Sequence, residues 1–84
     1  MTDPEFDIMD ELYFISPFEE LKKNLSIEES ELVNALHALI QKGWVKCLEK
    51  ETDDELEVAD NFKAEFKKYN YLATKAGLLA HNSK

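Results

Sequence analysis

The chain is predicted to be a single α+β domain, mostly helical, with a small antiparallel sheet of two or three strands. Three observations carry this. Leu32, Val33, Leu36, Leu39 and Ile40 recur at helical spacing and make one apolar stripe. Gly43 closes that stripe and is followed by Trp44–Glu49, a run of the aromatic and branched residues that strands favour. A second such run, Tyr69–Ala73, can return antiparallel to the first.

From the beginning of the chain, Asp3-Pro4 reads as a helix start, a capping side chain before a proline at the first helical position. Phe6, Ile8, Met9, Leu12, Tyr13 and Ile15 then give an apolar face broader than one small core needs. Packing on the central helix is the simpler account of that face; contact with another subunit is the alternative. Ser16-Pro17 repeats the start signal. Phe18, Leu21 and Leu25 mark a short second helix, with Glu19 and Glu20 early and Lys22 and Lys23 late, as the helix dipole prefers. Asn24 is its stop, and Leu25-Ser26-Ile27 is the turn into the central helix. Ser26 and Glu29 have capping-box spacing, and Glu28, Glu29 and Glu31 crowd the helix start. Lys42 lies in its last turn, before Gly43.

In the first strand Trp44, Lys46 and Leu48 share one face, and Val45, Cys47 and Glu49 the other. Residues 50–55 hold no apolar side chain and read as a solvated loop. Residues 56–68 fit two periods. Leu56, Val58, Phe62, Ala64 and Phe66 suit a strand interrupted by Asp60, while Val58, Phe62, Phe66 and Tyr69 suit a helix. Residue types favour a partly helical insertion ending near Lys68. Thr74 is expected to cap a last helix from Lys75 to about His81, with Leu78 and Leu79 closing the core.

The run Leu36-x-x-Leu39-Ile40-x-x-Gly43-Trp44-Val45 resembles the winged-helix family of helix-turn-helix domains. Tyr71-x-Ala73-Thr74-x-x-Gly77 resembles the family's closing strand, threonine cap and final helix, although the slot at Ala73 is usually larger. The likeness covers most of the chain through these short motifs. It implies a winged-helix-like domain over 1–84 whose central helix, in DNA-binding members, enters the major groove.

Composition weighs against that role. The chain has 84 residues, net charge −8 and ten basic residues, all of them Lys. Arg is the residue best suited to bidentate guanine and phosphate contacts, and there is none. A domain this small buries only about 60–65% of its unfolded surface. One cysteine excludes an internal disulfide and gives no zinc pattern. With no long apolar run and an acidic start, the expected location is the cytoplasm.

Candidate DNA contacts are Asn34, His37 and Gln41 on the polar side of the central helix, where Asn and Gln could read adenine. Lys63, Lys67 and Lys68, with Lys75, form the one basic concentration and could hold phosphates. A plain solvated face explains the same residues, and the acids at the helix start oppose docking. The adjacent acids Asp53-Asp54 and Glu28-Glu29 do not converge on a point and lie in polar surroundings, so no hydrolase is expected. Cys47, with His37 or His81 as bases, reads as a structural thiol in a half-buried strand. The expectation is therefore a non-enzymatic regulatory or protein-interaction domain that uses no cofactor, metal or small-molecule substrate. It would meet a protein partner or a second copy; a DNA-binding transcriptional regulator is the alternative.

Overall fold

The computed structural model describes residues 2–56 and 62–82. Their elements, in order, are α1 (Asp3–Glu11), β1 (Ser16–Pro17), α2 (Phe18–Asn24), α3 (Glu29–Gln41), β2 (Val45–Glu49), β3 (Glu55–Leu56), α4 (Phe62–Glu65), β4 (Tyr69–Ala73) and α5 (Lys75–Asn82). A 3-10 turn at Phe66–Lys68 leads from α4 into β4. The α+β class holds, and the strands pair antiparallel in the order β1-β4-β2-β3.

The central pairing is the expected one: β2 runs against β4 from Val45↔Ala73 to Glu49↔Tyr69. The sheet nevertheless has four strands among the described residues, not two or three. The additions, β1 and β3, are two residues each. Pieces that short show no period in the sequence. Ser16-Pro17 is β1 itself, paired with Asn70 and Tyr71, and α2 starts directly after it. Proline fits there because β1 is an edge, where a missing N–H breaks no ladder.

Two helix starts also differ from expectation. The N-cap of α1 is Thr2, not Asp3: Thr2 Oγ1 accepts from the Glu5 N–H, and the Glu5 carboxylate accepts from the Thr2 N–H. This is a full capping box, with Pro4 inside the first turn. The box expected at Ser26–Glu29 does not form. Glu28 is the N-cap of α3 and makes no side-chain cap bond. The Ile27 N–H bonds instead to Leu25 O, a tight turn that postpones the helix past Ser26.

The core is one cluster. Ile8 and Met9 of α1 and Leu12 just past its end meet Leu32, Leu36 and Leu39 of α3, with Phe18 and Leu21 from α2 and Val45, Cys47 and Tyr71 from the sheet. Phe62 joins them from α4 and is fully buried. Residues 62–68 are helical, as the residue types suggested; Val58 and Asp60 lie outside the described residues. Leu78 packs on the core, but Leu79 points outward at 61% exposure, contrary to expectation. Leu79 lies about 100° round the helix from Leu78, on the side turned away from the core.

α5 is held to the α3–β2 turn. The Thr74 hydroxyl donates to Gly43 O (2.7 Å) and accepts from the Gly77 N–H (3.0 Å), and the Thr74 N–H bonds to Trp44 O. Gly43 takes the left-handed conformation that ends α3 (φ +78°). Gly77 is needed for another reason: a Cβ there would lie 2.0 Å from Trp44 O. Among the described residues, no helix is long and apolar enough to cross a membrane.

Candidate nucleic-acid interface

The outward side of α3 is where the sequence places DNA contacts. Asn34 and Gln41 are exposed on it. They are separated by about 10 Å along the helix axis. His37, between them, is half-buried. Its ring stacks on Phe62 with centroids 5.3 Å apart and planes at 22°. The histidine is therefore occupied by α4 rather than presented to solvent.

The rest of the 62–68 segment follows the same course. Lys67 Nζ lies 3.8 Å from the Glu29 carboxylate at the start of α3 and 5.9 Å from the centre of the Phe66 ring. Lys68 pairs with Glu65 at 2.6 Å, and this bond, with the carboxylate's charge, raises its ammonium pKa. Lys63 is exposed and borders a cleft of about 470 Å³ with Glu29, Asn34, Val33 and Phe66. The structure so brings Asn34, His37, Lys63 and Lys67 to one region, with Lys67 against Glu29. Gln41 and Lys75 are not part of it.

The segment is pinned from below. Tyr71, fully buried in β4, donates its hydroxyl to Phe66 O at 2.5 Å. Burial raises the phenol's pKa, with Cys47 and Tyr69 adding to the effect, so the hydroxyl stays a donor. The Phe66 ring meets Phe18 at 4.5 Å. These contacts fix the segment across the α3 face.

Cys47 is fully buried, not half-buried, and burial pushes its thiol up to about 12. At neutral pH it is protonated and a poor nucleophile. His81 is engaged elsewhere: Nε2 lies 2.8 Å from the Asp10 carboxylate and Nδ1 3.2 Å from Tyr13 Oη, with the Phe6 ring tilted against it at 4.2 Å. Among the described residues, no three His, Cys, Asp or Glu side chains are grouped to hold a metal.

Three features escaped sequence reasoning. Phe62 reaching His37 joins residues too far apart for any local pattern. Glu5 is only 3% exposed and pairs with Lys42 at 2.9 Å, beside the Trp44 ring. Burial works to raise its pKa, but the Thr2 N–H and Lys42 outweigh burial and leave it lowered. Phe14 was readable: Leu12-Tyr13-Phe14-Ile15 is a longer apolar run than a helix stripe uses, and Phe14 stands 81% exposed.

No family model, curated protein or solved structure matches this chain.

Proposed function

We propose that this chain is a non-enzymatic, winged-helix-like regulatory domain of the cytoplasm that acts by binding protein. The order α1-β1-α2-α3-β2 followed by a wing and β4 supports the winged-helix likeness, as do the Gly43-Trp44 and Thr74-x-x-Gly77 junctions.

The α3 face, partly covered and acidic at its start, carries the reading. A recognition helix must present its polar side to a groove about 12 Å wide. Here Phe62 and Lys67 lie against that side, and Glu28, Glu29 and Glu31 stand at its leading end. Docking on DNA would break the Lys67–Glu29 pair and bring carboxylates to phosphates. Net charge −8 adds a long-range repulsion. Exposed Asn34, Gln41 and Lys63 favour DNA binding as the second reading.

A mobility-shift titration against random duplex at low salt separates the two. Non-specific DNA binders reach a Kd of roughly 10⁻⁴ to 10⁻⁶ M even at physiological salt. The expected result is no shift at protein concentrations above that range. A shift lost in the Lys63→Glu, Lys67→Glu double variant would replace the protein-binding reading with the DNA one.

A further inference from the structure

The turn after α1 presents three apolar side chains in succession: Tyr13 (45% exposed), Phe14 (81%) and Ile15 (43%). Tyr13 is held in place, because its hydroxyl bonds to His81 Nδ1 and Asn82 Oδ1 on α5, each at 3.2 Å. Helix residues three apart share a face, so Leu79 stands beside Asn82 on the Tyr13 side of α5. Leu79 is 61% exposed. The turn is an exposed apolar patch whose aromatic anchor is already ordered, and Leu79 adds an exposed apolar side chain on the helix that the anchor reaches. Rigid, part-exposed aromatic residues of this kind dominate binding energy at protein interfaces.

The chain on both sides of the turn is acidic, while α5 contributes one exposed cation, Lys75, four residues before Leu79. The first 21 residues hold seven acids and no Lys or Arg. Asp10 and Glu11 lie at the C-terminal end of α1, where the helix dipole is already negative and a cation would be favoured. Asp10 meets His81, and Glu11 accepts from the neutral Asn24 amide. Beyond the turn, Glu19 and Glu20 open α2. A second copy would bring the same acids face to face.

We infer that the Tyr13-Phe14-Ile15 turn, with Leu79, is the docking surface for a basic amphipathic segment of a partner protein. The inference rests on the protein-binding reading and names its site and the partner's chemistry. Apolar side chains of the segment cover Phe14 and Leu79, and its cations face Glu11, Glu19 and Glu20.

The test uses two synthetic amphipathic peptides of equal length and apolar content, one Lys/Leu and one Glu/Leu. Binding is read by fluorescence anisotropy, and its location by amide shift changes on labelled protein. The Lys/Leu peptide is expected to bind in low salt and to shift residues around 10–15 and 79–82. Phe14→Ser, at a site too exposed to affect folding, is expected to weaken binding about tenfold or more, and the Glu/Leu peptide not to bind. Equal binding of both peptides, binding indifferent to Phe14→Ser, or no binding at all would overturn the inference. Self-association of the wild type that Phe14→Ser abolishes would also overturn it, since the occupant would then be a second copy. That outcome leaves the protein-binding reading standing, whereas only the duplex-DNA shift removes it.

Discussion

Tyr71→Phe removes one oxygen atom from the middle of the core. The lost hydroxyl is the donor to Phe66 O, which fixes the 66–68 turn beneath the α3 face. A hydrogen bond of this kind contributes about 1 kcal/mol net, and a buried carbonyl left without a donor costs about 1–3 kcal/mol. Phe66 is half-buried, so water can partly replace the hydroxyl once the turn loosens. The expected loss is therefore about 1–2 kcal/mol. In a domain of this size each kcal/mol moves Tm by about 4–8 °C. Urea unfolding followed through Trp44, the single tryptophan, gives the stability change. Hydrogen exchange places it: amides around 62–70 should exchange faster while those of α1 and α3 keep their order of protection. Unchanged stability together with unchanged exchange at 66–70 would refute the view that this bond holds the segment down. The comparison variant is Tyr13→Phe, whose hydroxyl bonds lie near the surface and whose loss should cost less.

Gly77→Ala places a methyl group against the Trp44 carbonyl and should cost about 3 kcal/mol, whereas Gly43→Ala meets only its left-handed backbone and should cost about 1 kcal/mol. Comparable urea midpoints for the two would contradict the close approach. Glu5 has a folded-state pKa below its ordinary 4.5, so its stabilising contribution is complete above that value and is lost as pH falls through the folded pKa. The stability advantage of wild type over Glu5→Gln should hold from neutral pH to about 5 and shrink below about 4.5; an advantage that grows on acidification would reverse the assignment. The Cys47 thiol, pushed up to about 12, should react with a disulfide reagent at pH 8 only as fast as the protein unfolds, and rapid stoichiometric labelling would show that it is accessible.

Legibility from the sequence followed the range of the forces involved. Gly43 and Thr74 carry local chemistry, a left-handed stop and an N-cap, and both stand where their residue types place them. Their hydrogen bond to each other joins the two motifs that suggested a winged helix. The same capping signature occurs at Thr2–Glu5 and at Ser26–Glu29, yet only the first forms. At the second, Ile27 packs against the core and the turn at Leu25 overrides the local preference. Ser-Pro is degenerate in a different way, since it suits a helix start and an edge strand equally. At the candidate site, the side chains on α3 were identifiable from helical spacing, but their cover was not. Phe62 reaches His37 only because Tyr71 and Phe18 fix the intervening turn, and that is a property of the assembled core.

β4 lies between β1 and β2, so among the described strands every one except β3 has it as a neighbour, although it comes after the other three in the chain. A nascent chain that has reached Lys68 already contains α1, α2 and α3 but lacks the strand that pairs with both Ser16-Pro17 and Val45–Glu49. Its helices can gather, but the ladder that orders them has to wait for translation to deliver Tyr69–Ala73. Until then the edges of Val45–Glu49 and the underside of α3 are left to whatever the emerging chain meets.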